Sequence, residues 1–122
     1  MALIGIDKDE IFEYISNFDK NKNNPTIFEL GVLDNRTKLN LLKDAVDSRG
    51  EINISALQSK SYEIVKAGLK KIRNLYNKKT KQYEDIKNIT DEVLDKLPMV
   101  VITELAGKII EINFLSQEEE KN

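Results

Sequence analysis

Between Glu63 and Glu84 the sequence carries Lys66, Lys70, Lys71, Arg73, Lys78, Lys79 and Lys81 with no acid among them. Clustered lysine and arginine can displace counterions from a phosphate backbone. The same cluster suits an acidic protein surface, because long-range attraction steers either partner. If the segment is helical, Lys66, Lys70 and Arg73 share one side. The whole chain has a formal net charge of −2, whereas a nucleic-acid module is usually basic overall. The plain reading is therefore the solvated face of a helix whose other side is core, with nucleic acid the weaker functional reading and an acidic protein surface suiting the patch about as well.

The carboxylates offer a second chemistry. Glu104 and Glu111 lie two turns apart on one helical face, and with Asp95 they suggest paired acids for hydrolysis. A polar helix surface explains them as well. Glu118, Glu119 and Glu120 are consecutive; they suit a basic partner, a cation or, more simply, a solvated tail. The chain has no histidine and no cysteine. It therefore lacks the side chain that titrates near neutral pH, and it lacks thiolate nucleophiles and zinc-thiolate sites. No Walker loop, dinucleotide fingerprint, calcium loop or Gly-x-Ser-x-Gly elbow occurs. The expectation is a protein that is not an enzyme, with no catalytic residues, no metal and no cofactor.

These groups must be positioned by elements read from periodicity. Over 122 residues, 40% are hydrophobic and 33% charged, which suits one domain rather than a disordered chain. Asp7 to Phe18 reads as a short amphipathic helix, with Ile11, Phe12, Ile15 and Phe18 on its apolar face. Thr26 to Leu33 is β-branched and aromatic after Pro25 and predicts a strand. Asp34 caps a helix through Val46, and Ser48-Arg49-Gly50 stops it. The longest stripe, Tyr62, Val65, Leu69, Ile72 and Tyr76, predicts a helix from about Ser55 to Tyr76. Gly68 inside it suggests a close helix contact. Asn77 to Lys87 is polar and reads as a loop, although Gln82 to Ile86 could pair with the earlier strand.

Thr90 caps a short helix from Asp91 to Leu97, and Pro98 opens the last one, Met99 to about Leu115. That helix is apolar on more than one side: Val100, Val101, Ile102, Leu105, Ala106, Ile109, Ile110, Ile112, Phe114 and Leu115. It is either a central helix packed on two sides or one that keeps a side for a partner. The predicted architecture is mainly α. It has four to five helices in one compact domain over residues 1–116, with a minor β element of one strand or short hairpin. Residues 117–122 form an acidic tail. No apolar run spans a bilayer, and Met1 to Asp7 lacks the basic start of a secretory signal; the expected location is the cytoplasm.

Three segments carry a resemblance. They are Asn24-Pro25-Thr26-Ile27-Phe28-Glu29-Leu30 on to Asp34-Asn35-Arg36, Tyr62-Glu63-Ile64-Val65-Lys66-Ala67-Gly68-Leu69 on to Leu75, and Leu97-Pro98 through Glu104-Leu105-Ala106 to Ile112-Asn113. In order and spacing this series resembles small proteins encoded among tailed-phage and prophage structural genes, most closely tail assembly chaperones. The chain departs from their pattern at Ile72-Arg73, where an aromatic is usual before Asn74, and at Asn77-Lys78-Lys79-Thr80, where a glycine turn is usual. The resemblance implies a non-catalytic, largely helical protein that binds tape-measure or tail-tube proteins in the host cytoplasm. The alternatives it leaves are a neck or head–tail connector component of the virion and, less well supported, a nucleic-acid-binding regulator. Self-association into a homo-oligomer is compatible with each. The surfaces expected to meet a partner are Ile102, Leu105, Ile109 and Ile112 on the last helix, and Lys66, Lys70 and Arg73 on the middle one.

Overall fold

The computed structural model of the protein describes residues 2–115. In chain order its elements begin with strands β1 (Ile11–Tyr14) and β2 (Ile27–Gly31). Helices α1 (Asn35–Leu42), α2 (Ile54–Gln58) and α3 (Ser61–Gly68) follow. Next come strands β3 (Leu69–Asn77) and β4 (Gln82–Ile86). Helices α4 (Asp91–Asp95) and α5 (Met99–Ile110) close the series, and α5 runs into a π-helical turn, Glu111–Leu115. The strands form one antiparallel sheet in the order β1-β2-β3-β4. This mixed α/β architecture corrects the expectation of a mainly α domain with one strand or short hairpin.

The correction has two physical sources. In β1, Phe12 and Tyr14 alternate with Ile11 and Glu13, pairing with Leu30 and Phe28 of β2. Phe12 and Tyr14 pack on the core, so the segment obeys a period of two. Over so short a stretch, apolar spacing does not distinguish a strand from a helical turn. Asp7, expected to cap a helix, instead closes a turn: its carboxylate accepts from the Asp9 amide at 2.9 Å.

The second source is β3, expected to continue the helix to Tyr76. Leu69 and Ile72 are buried and Leu75 packs against the core. A regular strand would alternate, yet these three lie three residues apart. Two bulges account for it. Leu30 pairs with Leu69 but Glu29 pairs with Lys71, which leaves Lys70 as an extra residue. Ile72 pairs with Ile86 but Leu75 pairs with Glu84, so a second extra residue lies between. Each bulge adds one residue and returns the next apolar side chain to the same face. The resulting spacing of three imitates a helix. At the second bulge Asn74 adopts a left-handed φ of 64°, a conformation asparagine tolerates better than most residues.

The core lies between this face of the sheet and the helices. Leu57, Ile64, Val65, Ile72, Leu94, Leu105 and Ile109 are among its most enclosed side chains. Helices α1 and α4 are capped at their N-termini by side chains: Asp34 accepts from the Thr37 amide at 2.7 Å and Thr90 from the Val93 amide at 3.3 Å. The helix expected to reach Val46 ends at Leu42. Gly50, at φ 80°, serves a turn between bridged Val46 and Ile52. In the π-helical turn, buried Asn113 bonds to both sides. Its Oδ1 accepts from the Leu33 amide at 2.7 Å, and its Nδ2 donates to the carbonyls of Gly31 and Ile109. The end of α5 is thereby tied to the end of β2. The acidic tail expected at residues 117–122 lies outside the described residues.

Helix α3 crosses α5 at Gly68, where a Cβ would stand 2.7 Å from Ile109 Cγ2. Ile109 is buried and has no room to withdraw. Gly68→Ala is therefore expected to destabilise the protein by about 1 to 3 kcal/mol through overpacking. At Gly107 a Cβ meets nothing, and Gly107→Ala should instead stabilise by up to about 1 kcal/mol through helix propensity. Urea denaturation of the two variants checks the pair. Equal effects at both positions would contradict the packing described here.

Candidate protein-docking groove

The residues expected to meet a partner are mostly occupied inside the fold. Ile102, Leu105 and Ile109 are buried in the core, and Ile112 is half-buried against it. Of the cations, Lys66 pairs with Asp91 at 2.8 Å. Lys70, the bulged residue, lays its stem across Gly31 and donates to the Ala67 carbonyl at 2.9 Å. Arg73 is on the opposite face of the sheet, hydrogen-bonded to Glu13. Its Nε lies 2.9 Å from Glu29 but off the line of a hydrogen bond, so that contact is held by charge. Because Lys70 and Arg73 belong to a strand, they do not share a side with Lys66. Glu104 and Glu111 are engaged as well, the latter with Lys108 at 3.3 Å.

Among the apolar side chains the fold leaves exposed, with Leu3, Ile4 and Leu39 elsewhere, are those of the first turn of α5. Met99 is 76% exposed and Val100 53%, and the neighbouring loop presents Phe18 at 56%. These positions were legible in principle. A first helical turn favours acids or polar groups, and here Pro98 is followed by Met99, Val100 and Val101 with no acid. Phe18 and Val100 border a groove of about 540 Å³, floored by Phe28, Leu75, Leu97, Pro98 and Val101. The groove continues past Tyr76 and Pro98 to the β3–β4 turn, where Lys78, Lys79 and Lys96 line it. Two lysines of the basic cluster, Lys78 and Lys79, therefore line the groove, whereas Lys66 does not.

The walls of the groove are fixed by polar contacts. Glu104 of α5 accepts three bonds from the β1 end: Tyr14 Oη at 2.9 Å, Ser16 Oγ at 2.5 Å and the Asn17 amide at 2.8 Å. Ser16 Oγ in turn accepts from the Phe18 amide at 3.0 Å. Asp19 holds the next stretch, accepting from the amides of Asn21 and Thr26 at 2.9 and 2.8 Å. Asn74 then stitches this loop to β3. Its Nδ2 donates to the Asn24 side chain at 2.8 Å and to the Pro25 carbonyl at 3.2 Å, while Thr26 Oγ1 donates to its carbonyl at 3.0 Å. Phe18 is thus an exposed aromatic ring on a braced loop.

One phenol, Tyr14, belongs to this network, and a second, Tyr62, to the contact of α3 with Asp91. Burial, and then the Glu104 carboxylate, push Tyr14 up to about 12. On α3, Tyr62 donates to Asp91 at 2.8 Å, and that hydrogen bond raises it to about 12. Asp91 is held below its ordinary value, first by Lys66 and then by Tyr62. Among the described residues no group of three or more acids is placed to hold a metal ion. No helix among them is long and apolar enough to cross a membrane. No family model, curated protein or solved structure matches this chain.

Removing one acceptor oxygen from the clamp should loosen the groove wall. Glu104→Gln is expected to cost about 1.5 to 3 kcal/mol, the range for a bond to a charged group. It should also speed hydrogen exchange at the Asn17 and Phe18 amides more than in α3. Unchanged exchange there would mean that Glu104 does not brace the loop. The pH dependence has a definite sign. Tyr14 and Tyr62 keep their protons in the folded chain while unfolded tyrosines ionise near 10.0. Their contribution is complete below pH 10 and is lost as pH rises from 10 to about 12. Denaturation across that window should show a shallower decline for Tyr14→Phe and for Tyr62→Phe than for the unsubstituted protein.

Proposed function

We propose that this chain is a non-catalytic protein-binding module whose working surface is the groove at the start of α5. The observation that carries the reading is the set of exposed apolar side chains, Phe18, Met99 and Val100, on braced elements. Exposed apolar surface gathered beside a groove marks an interaction site more often than a random feature of the surface. Scattered apolar residues would carry no such meaning.

In its specific form the proposal is a tail assembly chaperone that holds tape-measure or tail-tube protein during virion morphogenesis. Its support is the resemblance of three sequence segments to that type of protein. Each of the three contributes to the groove: Thr26 and Phe28 from the first, Leu75 from the second, Leu97 and Pro98 from the third. A nucleic-acid role based on Lys66, Lys70 and Arg73 lacks this kind of support, because those side chains are paired and dispersed.

Co-expression with the products of the neighbouring genes, any tape-measure or tail-tube protein among them, tests the reading. A complex stable to size-exclusion chromatography is expected, lost with Met99→Asp or Val100→Asp. It should survive Leu39→Asp, which alters an equally exposed apolar residue on α1. Absence of a complex, or one indifferent to the groove variants, would remove the proposal. A chaperone should leave before the particle is complete, so its persistence in purified virions would favour a neck or connector component.

A further inference from the structure

The groove has a chemistry of its own. Its floor is uncharged, built from Leu75, Leu97, Pro98 and Val101 with Val100 at its edge, while its rim carries Lys20, Lys78, Lys79 and Lys96. None of these four lysines forms an ion pair with a described acid; the described pairs use Arg49, Lys60, Lys66, Arg73 and Lys108. The acids nearby do not balance them. Asp19, bonded to the amides of Asn21 and Thr26, and Glu84, to which Asn77 donates at 3.4 Å, keep their charge but are outnumbered by the four lysines. In a chain of net charge −2, this is a locally positive border around an apolar channel.

The geometry points to a partner segment that is acidic and carries apolar side chains. The apolar groups would sit beside Val100 and Pro98, and the carboxylates would meet the lysines. This rests on the reading of the groove as a protein-docking surface and names the class of partner it takes. Interfaces favour such an arrangement, with apolar anchors at the centre and charge at the rim governing encounter and choice of partner. A nucleic acid suits the site less well. Its phosphates would share the lysines, but laying a charged backbone along an apolar floor forfeits hydration without return.

Selection from a random peptide library displayed on ribosomes, against the intact protein, tests the inference. Winners are expected to carry Asp and Glu flanking one or more apolar residues. Their binding should weaken with added salt, because exposed charges are screened. It should be lost with Val100→Asp and fall about tenfold with Lys78→Glu/Lys96→Glu, since exposed rim charges each contribute modestly. Both lysines lie at the groove border, so the charge-reversed protein also reports when Val100→Asp fails to fold. Basic or neutral winners that depend on Val100 would overturn the acidic preference and leave the docking surface standing. No winner sensitive to any groove variant would overturn both. Generic duplex DNA that displaces the peptides and is released by the lysine reversals would overturn the protein partner in favour of nucleic acid.

Discussion

Strand β3 is hydrogen-bonded on both sides and must also turn Leu69, Ile72 and Leu75 toward the helices. Both demands are met by inserting two extra residues. The first bulge releases Lys70 to fold back over Gly31 and end on the Ala67 carbonyl. The second places Asn74 in a left-handed turn, with its amide donating to Asp85 at 2.9 Å and its side chain holding the Asn24–Thr26 stretch. The groove wall therefore depends on a backbone irregularity in the middle of the sheet. With regular alternation, one of the three apolar residues would face solvent and the loop would lose its anchor.

Much of the fold was readable where a local signal had a local cause. The strand after Pro25, the caps at Asp34 and Thr90 and the proline before Met99 each act through neighbouring backbone groups. The close contact at Gly68 was also foreshadowed by a glycine in an apolar stripe. What escaped was decided by distant partners. Leu69 to Asn77 has helical spacing because of bulges that only β2 and β4 define, and Ile11 to Tyr14 is a strand because β2 offers it an edge. Tertiary pairing overrode periodicity in both.

The candidate site was legible in part for the same reason. The last helix stood out by its apolar content, but composition does not say which side is buried. Ile102, Leu105 and Ile109 turned inward, and the first turn, with Met99 and Val100, was left outside. The basic cluster was likewise visible as a run and misread as a surface. A run along a helix projects its charges together, whereas a helix followed by a bulged strand and a turn sends them to three places. Lys66 went to Asp91, Arg73 to the acids on the open face of the sheet, and Lys78 and Lys79 to the groove.

The Glu104 clamp has a further consequence, which concerns entropy. Binding through an exposed aromatic on a loose loop must first immobilise the loop, and each ordered residue subtracts from the affinity. Here the ordering is already done by Tyr14, Ser16 and Asn17 when the chain folds. A partner docking as proposed would meet Phe18 in a preorganised wall, so less of its contact energy would be consumed by restricting this side of the interface. The free and occupied forms of the wall should then share nearly one backbone conformation. Recognition at this surface would be closer to rigid docking than to folding upon binding.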